Sequence, residues 1–392
     1  MITYKGKYNS ANVMIDEIDE ETVKQIYSFL NHPAFAKTYI AIMPDCHAGA
    51  GAVIGFTAKM NNYVIPNVVG VDIGCGVLSC PLPVHSIDFE ELDNFIKANI
   101  PSGFSIRNYS QRMINGYRPD SYIPDDSEIM YYANETKQES SRVKGSLGTL
   151  GGGNHFIEID EAEDGTYWLL VHSGSRNFGL KIANYYQNKA KELLKEMFVG
   201  ASAYHNLEYL PMEHGGYQYL QAMRIAQHYA TLNRGIMLEI ILNYFGVATS
   251  QTGGKIISPD NAFDTVHNYI NFKDKIIRKG AVAAHDGERL VIPFNMRDGV
   301  AVCIGKGNQK WNYSAPHGAG RILSRKKAKA TLSMDEFTAQ MDGIYTTTAT
   351  LDTIDESPMA YKDKDMIVDA IGETVDIEFM MKPVYNFKAG GD

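Results

Sequence analysis

Asp72 and Cys75 stand three residues apart in VDIGCG, a carboxylate and a potential thiolate in a turn whose glycines let the backbone fold tightly around an ion. Free cysteine is also among the most buried residue types, so taken alone Cys75 reads as a small core residue. Two histidines offer further ligands. The runs GSLGTLGGGNHFIEID (145–160) and YWLLVHSGS flank the turn-forming Asp164-Gly165, a pattern that predicts a β-hairpin. With its loop centred between Glu163 and Asp164, Ile159 faces Trp168, Ile157 faces Leu170 and His155 faces His172, all six on one face. Opposed Cβ atoms lie roughly 4.5–5.5 Å apart, close enough for two imidazoles to share a metal ion. A slip of one residue would separate them. The alternative is two satisfied polar histidines at a hairpin end, and spacing does not choose between these. His267 in DTVHNYI is weaker, since a lone histidine in an apolar strand is usually a core residue, although Asn268 makes the stretch more polar than a core needs.

His317 opens SAPHGAGRILSRKKA (314–328), where glycines permit close backbone approach and a basic, helix-like run follows. A helix N-terminus there would cradle phosphate and disfavour imidazolium, leaving a neutral, nucleophilic ring. Arg321, Arg325, Lys326 and Lys327 would add local positive charge; a solvated basic helix after a loop histidine is the plainer reading. GTLGGGN and GAGAVIG could supply amide nests for phosphate. No G-x-x-x-x-G-K-[ST], no strand-linked G-x-G-x-x-G and no Lys-x-Asp-Gly occurs, so the P-loop, the Rossmann site and the lysine-nucleophile ligases are unsupported.

The elements that must position these residues alternate between strand and helix. Helical spacing covers 21–32, 88–100, 177–197, 217–245 and a final helix at 318–330. TYIAIM (38–43) and AVIGFTA (52–58) read as strands joined by the loop MPDCHAGAG, and FDTVHNYINF, KGAVAAH, RLVIPF, VAVCIG and TVDIEFMMKPVYNF as further strands. The fold class is therefore mixed α/β (α+β), with no internal repeat and no linker. A net charge of −9 argues against nucleic-acid binding by bulk charge, so a polyanion must meet a local basic patch. Four cysteines without a C-x-x-C pair fit a reducing cytoplasm. The first residues, MITYKGKYNSANVMIDE, lack an apolar core, and IMLEIILNYFGVA (236–248) is too short and charged to span a bilayer; neither export nor a membrane anchor is expected.

Together MPDCHAGAG, GVDIGCG, GTLGGGNHFIE, VHSGSR, His267-Asn268, IRKGA (277–281) and HGAGR closely resemble the RtcB family of RNA ligases, in the family's order along nearly the whole chain. The resemblance implies one ligase domain over 1–392, enclosing a metal- and nucleotide-binding cleft and acting as a monomer. It implies that RNA ends with a 2′,3′-cyclic phosphate or 3′-phosphate are joined to 5′-hydroxyl ends, using GTP and two manganese ions. Asp72, Cys75, His155, His172 and His267 would bind metal, Cys75 bridging, and His317 would be the nucleophile that takes GMP. Asn154, Glu158, His267, Asn268, Pro293, Asn295, Met296, His317, Gly318, Ala319, Gly320 and Lys388 would line the guanylate site. His47, Arg176, Lys279 and Arg321 would contact RNA or triphosphate. Imidazole and thiolate ligands suit zinc at least as well as manganese, so manganese rests on the resemblance.

The chain departs from the family at IPFNMRDG (292–299), where Pro-Gly-Ser-Met-Gly-Thr is usual; Arg297 could meet phosphate there and Phe294 could crowd the nucleotide. Asn-Phe-Gly after HSGSR, Val282 and Cys46 are further departures, and all leave the ligands and nucleophile intact. Two other functions compete: a nucleotidyltransferase or phosphoesterase acting on 3′-phosphate ends without sealing, and a non-catalytic, metal-containing sensor of RNA ends.

Overall fold

Runs of β-branched and aromatic residues pair into two large sheets. The computed structural model describes residues 1–49, 51–107, 126–197, 204–247, 250–252, 255–257 and 261–390; Ala50 of MPDCHAGAG lies outside them. One sheet orders the strands Ile2–Lys5, Ser10–Val13, Ile40–His47, Ile54–Lys59, Ile276–Lys279 and Asn268–Ile270, antiparallel except where Ser10–Val13 meets Ile40–His47. The other is antiparallel throughout, in the order Phe263–Val266, Gly76–Leu82, Tyr167–Ser173, Phe156–Ala162, Val375–Lys388, Gly299–Gly305, Arg289–Asn295. The architecture is mixed α/β, as the alternation of elements implies.

An apolar core joins the sheets through two long helices, Arg176–Glu196 and Gly216–Tyr244. Every residue from Leu232 to Leu242 is buried, Asn233, Arg234 and Glu239 included, so this part of the helix runs through the core. On the hairpin, Ile157, Ile159, Leu169 and Val171 face this core, while Phe156, Trp168 and Leu170 face a second cluster on the sheet's other side.

That division corrects the expected register. Phe156, not His155, pairs with His172, and Ile159 pairs with Leu169. The loop has three residues, Glu163 to Gly165, because Gly165 takes φ +81 and Ala162 closes on Thr166. Trp168, Leu170 and His172 therefore lie on the face opposite Ile157 and Ile159.

Three further expectations change. The strand from Ile40 runs through Pro44-Asp45-Cys46 to His47, so most of the expected loop is buried strand. The run FDTVHNYINF breaks at His267, since Phe263–Val266 belongs to one sheet and Asn268–Ile270 to the other. The final helix spans Arg325–Thr331 and not 318–330: Gly320 takes φ +78, which no helix accommodates, and Ser324 caps the helix by accepting from the Lys327 amide. Among the described residues no helix is long and apolar enough to cross a membrane.

Candidate active site

The sheet-to-sheet crossing at His267 brings the ligand candidates together. The turn Asp72 to Cys75 leads into Gly76–Leu82, where Val77 pairs with His172 of the neighbouring strand, and the His267 amide donates to the Cys75 carbonyl (2.9 Å). His155 precedes its strand, outside the pleat's alternation, so its ring still turns towards His172 despite the shifted register; the centroids are 5.4 Å apart. Cys75 Sγ lies 3.2 Å from His172 Nε2 and 3.5 Å from His155 Nε2. Asp72 Oδ2 is 3.0 Å from His155 Nε2, and the Nε2 atoms of His172 and His267 are 3.4 Å apart. Two ligand groups result, Cys75/His172/His267 and Asp72/Cys75/His155, each with its donor atoms within 4.8 Å of one another. Cys75 belongs to both.

These donors fit metal ions. His155 Nδ1 donates to the Leu150 carbonyl (2.9 Å) and His172 Nδ1 to the Asn154 carbonyl (3.1 Å), which leaves both Nε2 lone pairs aimed inward. Burial, reinforced by the neighbouring imidazoles, holds His172 and His267 well below the usual histidine range, so they stay neutral ligands. Burial opposes ionisation of Asp72, but the adjacent His155 imidazole outweighs it and holds the carboxyl at about 2. Burial and the Asp72 charge push the free Cys75 thiol up, so a cation must displace its proton before it can ligate. Gly174 makes room: a Cβ there would stand 1.9 Å from Asp72 Oδ1. Arg234, fully buried, ties the ligand-bearing segments together by donating to the Gly74 and Ser173 carbonyls (2.7 Å each) and to Asp264 (2.6 and 2.8 Å).

His317 stands beside this cage, its ring centroid 4.9 Å from that of His267. Its orientation comes from a residue that motif reasoning passed over. Asp45, fully buried in the strand Ile40–His47, accepts from His317 Nδ1 at 2.6 Å and from the His317 amide at 3.2 Å. Nδ1 thus carries the proton and Nε2 is left with its lone pair free. The expected helix N-terminus does not serve the ring, because that helix begins eight residues later. Gly320 is required here too: a Cβ would lie 2.0 Å from the Asp45 carbonyl. An acidic residue inside the apolar run TYIAIMPDC was the available signal for Asp45.

A cavity of about 610 Å³ opens over His317 and the cage. Asn154, Glu158, His267, Asn268, Pro293, Asn295, Met296, Gly318, Ala319, Gly320 and Lys388 line it with His317, as do Asp72, Cys75, His172, His47 and Arg321. His155 sits behind the wall. Arg176 and Lys279 lie outside the lining: Arg176 donates to Thr149 Oγ1 and the Gly103 carbonyl, and Lys279 to the Asn67 carbonyl, where burial lowers its amine to about 8. Phe294 reaches the lining but is buried in an apolar cluster with Leu290 and Ile292. Arg297 is exposed, engaged by Asp298 and Gln340 away from the cavity.

The basic run after His317 meets an unforeseen acidic partner, Asp355-Glu356. Glu356 Oε1 accepts from Arg321 (3.2 Å) and Arg325 (2.6 Å), and Oε2 from Lys388 (2.8 Å) and the Tyr361 hydroxyl (2.6 Å). Burial raises the carboxyl, but Lys388, Arg325 and Arg321 outweigh it and hold Glu356 at about 2. Arg321, Arg325 and Lys388 are therefore positioned groups and not free surface charge.

A buried cage with one shared thiol, set beside a histidine oriented by a buried carboxylate, has the donor set of a candidate metal and group-transfer site. The comparisons give that class its family. The family model described as tRNA-splicing ligase RtcB matches residues 25–389. The RNA-splicing ligase RtcB of Escherichia coli K12 is 31% identical over 94% of this chain and 94% of its own. The tRNA-splicing ligase RtcB of Aeropyrum pernix is 27% identical over 91% and 90%, and that of Thermococcus kodakarensis 24% over 94% and 91%. The chain belongs to the RtcB family.

Proposed function

We propose that this protein is a GTP- and manganese-dependent RNA ligase that joins 2′,3′-cyclic phosphate or 3′-phosphate ends to 5′-hydroxyl ends through a His317–GMP intermediate. The observation that carries the reading is the Asp45–His317 bond beside the cage, which a purely structural metal site would not need. Family membership supports RNA ends as substrates.

Asp72, Cys75, His155, His172 and His267 would hold two metal ions with Cys75 shared. Bound there, the ions supply Lewis-acid stabilisation of phosphate oxygens. The donor set alone suits zinc at least as well, so manganese follows from the family. Asp45 keeps the proton on His317 Nδ1 and offsets the positive charge that grows on the ring as Nε2 bonds to the α-phosphorus of GTP and pyrophosphate leaves. An RNA 3′-phosphate, formed from the cyclic phosphate by hydrolysis where needed, then displaces His317 and gives RNA-ppG. The 5′-hydroxyl of the second RNA attacks that end and releases GMP. Glu158 and Lys388 suit the nucleobase region, Asn154, Asn268 and the Gly318–Gly320 turn the rest of the guanylate, and His47 and Arg321 the phosphates of RNA or triphosphate.

Residues 1–392 are read as one domain because both sheets contribute to the same cavity, and the chain is read as a cytoplasmic monomer. Incubation with α-labelled GTP and Mn²⁺ tests the intermediate: the label should be covalent and absent from His317→Ala. Labelling that survives that substitution would remove His317 from its role. A labelled protein that never lengthens RNA would instead favour a capping nucleotidyltransferase.

A further inference from the structure

Asp160 has no place in this chemistry, yet it is a carboxyl held wholly inside the protein. Along Phe156–Ala162 side chains alternate, so Phe156, Glu158, Asp160 and Ala162 share the face that packs on Trp168, Leu170 and Val291. Glu158 is buried, accepts from Asn386 Nδ2 and reaches the cavity wall. Asp160 sits one pleat deeper, wholly buried, opposite Trp168 on one neighbouring strand and Pro383 on the other. Neither of its oxygens meets a donor among the described residues. Two residues along the same face of the strand stands a second buried carboxyl, Glu158, and the two groups act on each other.

Two carboxyls bond to each other only when one carries a proton, because ionised carboxylates accept and cannot donate. A lone carboxylate in an apolar cluster would be prohibitive. The cations nearby do not neutralise Asp160: Lys388 is bound to Glu356, and Arg289, over the Trp168 ring, is paired with Glu378 through one terminal nitrogen while its Nε meets no acceptor among the described residues, Asp160 included. Burial accordingly pushes both carboxyls up, Asp160 the further.

We infer that Asp160 is the proton-carrying partner of Glu158, and that the proton held on Asp160 keeps Glu158 the ionised acceptor that selects the guanine edge. With the proton on Asp160, Glu158 is an acceptor-only carboxylate that matches the adjacent N1–H and N2–H donors of guanine. Only a second proton on the pair, placed on Glu158, would give it a donor beside an acceptor, which matches N1 and the N6 amine of adenine. Asp160 is thus a specificity-positioning residue that touches no substrate. The purine half of the inference rests on the guanylate reading above; the proton-sharing half does not.

The test compares wild type, Asp160→Asn and Asp160→Leu, each checked for folding by circular dichroism. Affinities for fluorescent GTP and ATP analogues are measured from mildly acidic to mildly alkaline pH. Asp160→Asn supplies a permanent N–H donor, so guanine preference should persist and lose its pH dependence. Asp160→Leu removes the donor, so the preference should fall by about tenfold or more, as leaving a buried polar group without its partner implies. Infrared spectra should show a protonated carboxyl band in wild type that shifts in D₂O and is missing from Asp160→Asn. Absence of that band, or an unchanged preference in Asp160→Leu, overturns the inference. If Asp160→Leu does not fold, loss of preference in Asp160→Asn overturns it equally. If neither nucleotide binds wild type, the guanylate reading fails together with the purine half, and the infrared band still decides whether the proton is shared.

Discussion

Replacing Asp45 by alanine removes the one group that both orients His317 and fixes its tautomer. The Asp45–His317 contact is a 2.6 Å bond between a fully buried carboxylate and a ring nitrogen, reinforced by the His317 amide. Charge-assisted hydrogen bonds of this kind are worth roughly 1.5–3 kcal/mol. Lost selectively from the transition state, where positive charge grows on the ring, that is about a 10- to 150-fold slower nucleotidylation. Single-turnover labelling with α-labelled GTP at saturating nucleotide reads the rate, and a parallel titration reads the affinity. The rate should fall while GTP affinity stays close to wild type, since Asp45 lies behind the His317 ring and outside the cavity lining. Asp45→Asn keeps an acceptor oxygen but can also present its amide N–H to Nδ1, which would put the proton on Nε2; its rate should match or fall below that of Asp45→Ala. A folded Asp45→Ala protein labelled at the wild-type rate would refute this role.

Other expectations follow from the same geometry. Glu356 is shifted from 4.5 to about 2, so its stabilisation is complete above pH 4.5 and is lost as pH falls through 2. The shift corresponds to about 3 kcal/mol, and acid titration of Glu356→Gln by circular dichroism should show a shallower decline of stability across that window. Cys75→Ser removes the ligand common to both groups and should abolish binding of at least one of two ions in calorimetric titration with Mn²⁺ or Zn²⁺. Chelation of wild type should lower its melting temperature, because an ion at a hundred times its Kd stabilises by about 2.7 kcal/mol. Gly174→Ala, whose Cβ would meet Asp72 Oδ1 at 1.9 Å, should weaken metal binding with little effect on GTP affinity measured without metal. Arg234→Met leaves Asp264 and two carbonyls without their donor, and should cost about 3–5 kcal/mol in denaturant unfolding, the cost of breaking a buried pair from one side.

The cage was legible because its ligands sit in short motifs whose local geometry the sequence already constrains. The hairpin was legible as a hairpin but not in register: Glu-Asp-Gly serves a two- or a three-residue loop, and only Gly165's positive φ selects the longer. His155 and His172 meet for a reason other than cross-strand pairing, since His155 lies outside the strand. The glycines after His317 suit the start of a helix or a sharp turn, and Gly320's conformation, set by contact with Asp45 from a distant strand, makes them a turn. Glu356 lies 39 residues beyond His317 and answers the basic run only in three dimensions. Asp45 sat inside a quoted motif, but its partner was visible only once the strand Ile40–His47 was placed beside Ser314–Pro316. What the sequence withheld were the pairings between segments distant along the chain.

The most direct test of the proposed activity is to supply a 3′-phosphate RNA and a 5′-hydroxyl RNA with GTP and Mn²⁺ and look for the joined strand. A product of summed length, dependent on GTP and absent from His317→Ala, is the expected result. Efficient transfer of GMP to the protein or to the 3′-phosphate end without any joined RNA would contradict ligation by this chain.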